Sequence, residues 1–275
     1  MKKLAVLILL DILFSTTAFG WGQIGHRVVG EIAQRHLSHS ARKKLRKLMG
    51  KESLAQSSTW ADEIRSHPNQ KYYSKFSPWH YVEIPIGVSY EDSEKNKGGD
   101  IIRAIQEQTA RLKNRKNKPE ERIEALRFLS HFVGDIHQPL HVGNGLDQGS
   151  NFCIVKFFGV PTNLHKVWDE SLIDSLKLSY TEFAQFIDQL PKSEIKKLQK
   201  STVLEWAKES EVLRPTAYPS PIGKRAFCKK NYGDTIDDDD MPGLSWDYRF
   251  KHLQTVRQRL FQAGVRLAAL LDDAL

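Results

Sequence analysis

Apolar residues recur at helical spacing through most of the chain. Ile24, Val28, Ile32 and Leu37, for example, fall roughly on one face of a helix. The same spacing predicts helices over residues 24–37, 60–65, 101–112, 119–136, 164–176, 181–190, 194–213 and 246–271. A further helix is expected to begin at a cap formed by Ser38 or Ser40 and to end at Leu48.

The remaining segments predict turns, loops and a little β-structure. Residues 152–158 have the composition of a strand, and Gly159-Val160-Pro161 would turn it into a small β-hairpin. Prolines mark a loop over residues 215–223, and the acidic run 237–240 is interpreted as a solvated loop. Because no repeat or change of composition divides the chain, we expect a mainly α fold in a single helical domain with a small β-hairpin.

The first twenty residues have the pattern of a secretory signal peptide. A short cationic start precedes an apolar run over residues 4–14, and small residues then end at Gly20 in an A-x-G cleavage site. An uncleaved membrane anchor is the alternative, but the run is shorter than the ~20 apolar residues of a spanning helix and contains Asp11. We therefore expect a signal peptide over 1–20, a mature domain over 21–275, and a secreted or periplasmic protein.

Composition and charge narrow the class of protein. The 275 residues are 40% hydrophobic with a mean hydropathy of −0.47, which excludes a disordered chain and a polytopic membrane protein. Lys and Arg exceed Asp and Glu by 41 to 33, and this basic excess favours anionic partners such as nucleic acid or anionic lipid. Export would place Cys153 and Cys228 in an oxidising compartment, where either a disulfide or two buried free thiols is compatible with the sequence.

Histidine and aspartate residues carry the candidate chemistry. His131 and Asp135 are four residues apart on a predicted helix, and so are His165 and Asp169, which places each pair on one helical face. His141 follows the first pair after a helix-ending proline. Imidazole and carboxylate groups are the ligands of hydrolytic zinc sites, so the pattern predicts a metal centre.

Other histidines and acidic residues divide into two groups. Asp62 and His80 each lie beside large aromatic residues, in Trp60-Ala61-Asp62 and Trp79-His80-Tyr81, and would be interpreted as core residues if they stood alone. Trp21 and His26 would reach a metal only after cleavage, which frees the amino group of Trp21. His36, His39, His67 and His252 are interpreted as surface or packed side chains, and His137 as a structural residue that faces away from His131 and Asp135.

In this order and spacing the chain resembles the secreted zinc-dependent single-strand-specific nucleases and 3'-nucleotidases of fungi, plants and bacteria, which share a fold with bacterial zinc phospholipases C. The resemblance extends over residues 21–275. It rests on Trp21 and His26, on Trp60-Ala61-Asp62 and Trp79-His80-Tyr81, on the block 131–141, on Gly149-Ser150-Asn151, on the stretch 163–169 that contains His165 and Asp169, and on the C-terminal stretch 264–271.

The resemblance implies three zinc ions in a mainly helical fold of the zinc phospholipase C/nuclease type. One zinc would be bound by Asp62, His80, His131 and Asp135, and a second by His141, His165 and Asp169. A third would be bound by the amino nitrogen and carbonyl oxygen of Trp21, by His26 and by a second oxygen of Asp135. Asp135 would thus bridge two metals.

The resemblance also implies the roles of the remaining site residues. Asp62 would orient the attacking water or accept its proton, and Arg65 would stabilise the phosphate. Tyr81 would stack on a base that Glu83 and Asn151 hydrogen-bond, although fungal members carry Asp at the position of Glu83. The substrates would be single-stranded DNA and RNA, cleaved at the P–O3' bond to leave 5'-phosphates, and 3'-nucleotides. We expect a monomer without stable membrane insertion.

Two rival functions are considered. A zinc phospholipase C would share most ligands, but those enzymes typically have Glu where this chain has Asp169, and Asn151 stands at a base-recognition position. A non-catalytic zinc-stabilised protein that binds nucleic acid by charge is the second rival. A complete ligand set with open metal positions argues against it.

Overall fold

A computed structural model describes residues 20–220, 226–231 and 233–275. Apart from Gly20, the predicted signal peptide therefore lies outside the described residues. Part of the predicted loop over 215–223 also lies outside them.

Helices form most of the described structure. In chain order they are α1 (Gln23–His36), α2 (His39–Met49), α3 (Leu54–Ser57), α4 (Trp60–Glu63), α5 (Gln70–Tyr73), α6 (Ile101–Lys113), α7 (Pro119–Asp135), α8 (Leu164–Lys166), α9 (Leu172–Asp174), α10 (Tyr180–Ile187), α11 (Lys192–Leu198), α12 (Val203–Ala217) and α13 (Trp246–Ala274). The strands are short: β1 (Val82–Glu83), β2 (Val142–Gly143), β3 (Ile154–Phe157), β4 (Val160–Asn163) and β5 (Gly243–Leu244). The prediction of a mainly α domain is confirmed.

The prediction of one continuous helix over residues 194–213 was wrong, and helix capping explains the difference. The helix expected over residues 194–213 is two helices, because α11 ends at Leu198 and Thr202 caps α12. The Thr202 hydroxyl accepts a hydrogen bond from the Glu205 amide, and the Glu205 carboxylate accepts one from the Thr202 amide at 2.6 Å. This T-x-x-E capping box starts a new helix.

The prediction of a loop at Pro215 was wrong, because this residue lies inside α12. Its neighbour Arg214 is buried and donates hydrogen bonds to three carbonyl oxygens, those of Ile84, Val142 and Gly143. These contacts tie the end of α12 to the rest of the protein, and they offset the backbone hydrogen bond that a proline removes from a helix.

Helices α1, α7 and α13 form the centre of the hydrophobic core. The long α13 packs along α1 at very short range, since a Cβ placed on Gly264 would lie 2.5 Å from Cγ2 of Ile32. Only glycine permits this approach. Helix α7 contacts both α1 and α13, and α1 and α7 each carry candidate metal ligands.

Two small sheets bring distant segments of the chain together. β1 and β2 pair in parallel, with Val82 opposite Val142. This pairing brings His141, just before β2, next to His80, two residues before β1, and His141 Nδ1 lies 2.6 Å from the His80 carbonyl oxygen. Strands of two residues have no periodicity, and the sequence did not predict them. β3 and β4 form the predicted hairpin, but its turn lies at Phe158 and Gly159, which both have positive φ, while Val160 and Pro161, predicted as turn residues, belong to β4. Two successive positive φ angles are the backbone of a type I′ turn.

The hairpin leads directly into the helical segment that carries His165 and Asp169. The Asn163 side chain caps α8 by accepting a hydrogen bond from the Lys166 amide at 2.7 Å. Residues Val167–Ser171 continue the segment as a π-helical turn before α9. A disulfide between Cys153 and Cys228 closes the start of this region.

Two buried arginines on α13 hydrogen-bond His137, which lies just after the end of α7. Arg259 donates to the carbonyl oxygen of His137 at 3.0 Å, and Arg266 donates to His137 Nε2 at 2.9 Å. Both arginines also contact Glu209. Burial and the two arginines hold the pKa of His137 well below its usual range, so this imidazole is a neutral hydrogen-bonding group.

No helix among the described residues combines the length and the apolar character needed to cross a membrane.

Candidate metal centre

Three side chains from two segments converge on one point in the core. His131 and Asp135 come from the last turn of α7, and His80 comes from the 3₁₀ turn before β1. Asp135 Oδ2 lies 3.0 Å from His80 Nδ1 and 3.1 Å from His131 Nε2, and the two imidazole nitrogens are 3.1 Å apart. The three atoms therefore form a nearly equilateral triangle.

Asp62 and His26 approach this triangle from α4 and α1. Asp62 Oδ1 lies 3.8 Å from His131 Nε2. His26 stacks on the His131 ring at 3.8 Å between centroids, and its Nε2 lies 3.2 Å from the other oxygen of Asp135, Oδ1. The two oxygens of Asp135 thus face different sets of imidazoles.

A second cluster lies on the helical segment after the hairpin. Asp169 Oδ2 is 3.0 Å from His165 Nε2, and Asp169 Oδ1 is 3.7 Å from His141 Nε2. The backbone amide of Gly22 donates to the carbonyl oxygen of Asp169 at 2.8 Å, which links the start of α1 to this cluster.

Backbone carbonyls orient three of the imidazoles. The Nδ1 atoms of His131, His141 and His165 lie 2.6–2.7 Å from the carbonyl oxygens of Ser58, His80 and Gly149 respectively. In each ring Nδ1 is therefore the donor to the carbonyl, and Nε2 is left facing the carboxylates of the cluster. This is the arrangement of a metal-binding histidine.

The electrostatic environment sets the charge of the donors. Burial alone would raise the pKa of Asp135, but His131, His141 and His26 hold it well below its usual range. Burial, with Arg65, lowers the pKa of His80 to about 4. Burial would also lower the pKa of His141, but Asp135 and Asp169 raise it to about 9. A cation bound at these nitrogens would replace the proton on His141 and keep Asp135 ionised.

Several donor atoms of the clusters are buried without a hydrogen bond. They are both ring nitrogens of His26, Oδ1 of Asp62 and Oδ1 of Asp135. An unsatisfied buried polar group costs about 1–3 kcal/mol, and zinc bonds of about 2.0–2.1 Å in a tetrahedron place neighbouring ligand atoms about 3.3 Å apart. The separations of 3.0–3.2 Å around Asp135 match that spacing. The residues therefore fit zinc.

The start of the described chain lies against the same residues. Trp21 is fully buried. A Cβ placed on Gly20 would lie 1.5 Å from Asp135 Oδ1 and 2.8 Å from His26 Nε2. The residue before Trp21 thus fills the space between these two side chains.

Comparison with known proteins identifies the family. Residues 21–275 match the S1/P1 nuclease family. The chain belongs to the S1/P1 nucleases. Endonuclease 4 of Arabidopsis thaliana is 35% identical over 93% of this chain and 89% of the relative. Endonuclease 2 of the same plant is 32% identical over 92% and 90%, and Nuclease S1 of Aspergillus oryzae is 29% identical over 92% and 91%.

In this nuclease two cavities meet at Tyr81, next to the metal centre. One of about 230 Å³ is lined by His80, Arg65 and Tyr73, and the other of about 370 Å³ is lined by Glu83 and Gly145. Tyr81 lines both of them. Arg65 Nη2 lies 3.4 Å from Asp62 Oδ1, so its positive charge is at the edge of the centre.

The proposed base-binding residues are placed differently from one another. Glu83 borders the larger cavity, where it accepts a hydrogen bond from the Gly145 amide at 2.7 Å and burial raises its pKa. Asn151 uses its side-chain amide within its own turn, donating to the carbonyl oxygen of Gln148 at 2.9 Å. Among the described residues, no hydrogen bond joins Asn151 to Glu83.

One buried side chain at the centre was not predicted from the sequence. Gln138 is buried, donates to Asp169 Oδ1 at 2.7 Å and accepts from the Leu140 amide at 2.5 Å. Its place between two histidines of the 131–141 block was the available signal. The histidines interpreted as packed or surface residues include His36, which pairs with Asp188, and His252, which is buried against Trp168 and Tyr248.

Proposed function

We propose that this S1/P1 nuclease is a zinc-dependent phosphodiesterase that hydrolyses single-stranded DNA and RNA, and 3'-nucleotides, at the P–O3' bond. The observation that carries the proposal is the arrangement at Asp135. One of its oxygens closes a triangle with His80 and His131, while the other faces His26 and has no hydrogen bond. A carboxylate with both oxygens aimed at separate donor sets suits a cluster of metals.

Nine residues are proposed to bind three zinc ions, with Asp135 shared between two of them. They are Trp21, His26, Asp62, His80, His131, Asp135, His141, His165 and Asp169. Zinc bound there would lower the pKa of a water molecule and neutralise charge on the phosphate. A phosphodiester anion repels hydroxide, so a concentrated positive charge is the main requirement of this reaction.

The protein's own side chains would position the reactants. Asp62 Oδ1 is buried without a hydrogen bond, and it would hold the attacking water and accept its proton. Arg65, 3.4 Å from that oxygen, would bind a phosphate oxygen and stabilise the developing negative charge. The products would be a free 3'-hydroxyl and a 5'-phosphate.

A preference for single strands would follow from the way a base is held. Tyr81 forms a wall of the cavity that Glu83 borders, and an aromatic ring there would stack on a base. Stacking of this kind is worth about 1–3 kcal/mol per base and requires a base that has left its duplex. Glu83 would accept hydrogen bonds from the base edge, with Asn151 as a second contact if its turn rearranges.

Location and processing form part of the proposal. We infer that residues 1–20 are removed as a signal peptide and that the domain over 21–275 acts as a secreted or periplasmic monomer. The free amino group of Trp21 would then become available as a ligand.

The experiment is a gel assay with single-stranded DNA, RNA and duplex DNA, with and without a chelator, beside an assay for phosphatidylcholine hydrolysis. We expect chelator-sensitive cleavage of the single strands to 5'-phosphate products. Asp62→Asn should abolish this cleavage, while the exposed Asp237→Asn should not. Hydrolysis of phosphatidylcholine without nucleic-acid cleavage would establish the rival phospholipase function.

A further inference from the structure

The strongest concentration of positive charge in the sequence lies on α2 and the turn after it. Residues 39–51 contain six Lys and Arg and no Asp or Glu: Arg42, Lys43, Lys44, Arg46, Lys47 and Lys51. All six are exposed, and none of them forms an ion pair with another described residue. Arg42 donates to the carbonyl oxygens of Gln34 and Arg35 at 3.2 Å, and the other five side chains are available to an external anion.

Two surface cavities lie beside this charge. The first, of about 600 Å³, is lined by Arg42, Arg46 and Lys51, and the second, of about 690 Å³, by Lys51, Trp60 and Arg127. Lys51 and Glu52 line both, so the two cavities are adjacent on the surface, and we call them together the basic groove.

The acidic residues of the basic groove are already engaged. Glu52 accepts hydrogen bonds from Arg127 Nε at 2.9 Å and Nη2 at 2.6 Å. Burial would raise the pKa of Glu52, but Arg127 and Ser57 lower it, so the pair stays ionised and neutral overall. Glu63 accepts a hydrogen bond from the Thr59 hydroxyl at 2.6 Å. The net charge of the groove remains positive.

The basic groove also contains an aromatic surface and lies close to the metal centre. The half-buried Trp60 stands under Arg127, whose guanidinium carbon is 5.4 Å from the ring centroid. Trp60 and Glu63 line the groove, while Asp62, between them on α4, points to His131. One short helix therefore separates the groove from the candidate metals.

We propose that the basic groove binds the sugar–phosphate backbone of a single-stranded nucleic acid, as a site separate from the metal centre. The inference rests on the proposed function, since it assigns the groove to a distant part of the same substrate strand. A line of cations with an occasional aromatic ring is the general form of sequence-independent single-strand binding. Such a site would strengthen binding of long strands and leave dinucleotides unaffected.

The test compares two double variants with equal loss of charge. Arg46→Gln/Lys51→Gln removes two groove cations, and Lys196→Gln/Lys200→Gln removes two exposed cations on and just after α11, outside the lining of the groove. KM is measured for a thymidine dinucleotide and for an oligothymidylate of about 30 nucleotides over a range of salt concentrations. The Kd of the long strand is measured with both double variants in an Asp62→Asn background, where hydrolysis is expected to be slow.

We expect the groove variant to raise KM and Kd for the long strand by about tenfold at low salt. The slope of log Kd against log salt concentration should become shallower by about 1.4, which corresponds to two lost phosphate contacts. The dinucleotide KM of the groove variant should equal that of the unmodified protein. The control variant should have the same KM and Kd values as the unmodified protein for both substrates. Equal Kd values for the groove and control variants, or an equal change for both substrates, would overturn the proposal. If no variant cleaves either substrate, the proposed function fails, but the Kd comparison still decides the groove.

Discussion

Asp135 and Asp169 occupy the same position in two copies of one motif, four residues after a histidine, yet their surroundings differ. Asp135 meets three imidazoles, with His26 on one oxygen and His80 and His131 on the other. Asp169 meets two, and its Oδ1 also accepts a hydrogen bond from Gln138. The same i, i+4 motif therefore places its carboxylate among three imidazoles in one case and two in the other, depending on what packs around it.

The backbone around the two aspartates differs as well. Asp135 ends the regular helix α7, in the core formed by α1 and α13. Asp169 lies in a π-helical turn between two very short helices, near the surface hairpin. A π-turn changes the register of a helix and is common at functional sites. We therefore expect the Asp135 cluster to depend on the global fold and the Asp169 cluster on local contacts.

Removing all metal should have the largest effect, because it empties both clusters at once. We expect a chelator to abolish activity and to lower Tm by about 10 °C or more, since metal binds only the folded state. Zinc added back should restore both, at about three ions per chain. Metal analysis and calorimetry provide the check. A restored enzyme that holds one zinc per chain would show that the two clusters are not both metal sites.

Changing the two aspartates separately tests the comparison itself. Asp135→Asn should reduce kcat by more than about 10²-fold and remove more than one zinc, because an amide is a poor bridging ligand. Asp169→Asn should cost less and remove one zinc. Mutation of a hydrogen-bond partner of a metal ligand typically lowers metal affinity or activity by about 10- to 100-fold. Loss of a bridging ligand should therefore lower activity by more than that. Similar turnover and full metal content in both variants would show that Asp135 does not bridge.

Much of this centre was predictable because its spacing is local. His131 with Asp135, and His165 with Asp169, follow from helical geometry alone, and the hairpin and most helices follow from turn and cap residues. The overall class of fold was predicted for the same reason. The S1/P1 nuclease family could be predicted only from the order of all the motifs together.

The rest depends on contacts that carry no signal in residue type. The orienting acceptors for His131, His141 and His165 are backbone carbonyls, which every residue possesses. The β1–β2 ladder that brings His80 to His141 is two residues long and has no periodic pattern. Only the folded chain reveals these partners. The split between α11 and α12, by contrast, had a visible signal in Thr202 and Glu205.

Extending the chain before Trp21 should affect the Asp135 cluster selectively. A residue at position 20 lies against Asp135 Oδ1 and His26 Nε2, and its peptide bond would also convert the Trp21 amine to an amide without a free lone pair. We expect protein with Met retained before Trp21 to lose one zinc and most of its activity, about tenfold or more, while the fold survives. Zinc content, specific activity and circular dichroism are compared with correctly processed protein.

The correctly processed chain is its own control in this experiment, because the two proteins differ by a single residue. Equal zinc content and equal activity would show that the amino terminus is not a ligand and that Trp21 is a packed aromatic residue. Loss of zinc from the Asp169 cluster instead would contradict the expected division between the two clusters. The link from the Gly22 amide to the Asp169 carbonyl is the contact through which this could occur.

The smallest effect is expected at Gln138, which distinguishes Asp169 from Asp135. Gln138→Met keeps the volume of the side chain but removes the donor to Asp169 Oδ1 and the acceptor for the Leu140 amide. Because Asp169 Oδ2 still faces His165, the carboxylate should remain a ligand but in a less fixed orientation. We expect zinc affinity of this cluster to fall by about tenfold, with kcat recovering in excess zinc.

Gln262→Met is the matched control, since Gln262 is also buried but bonds to Arg259 on α13. If both variants lose stability equally and neither responds to zinc, Gln138 is merely a packed residue, and the two aspartates differ only in the number of imidazoles around them.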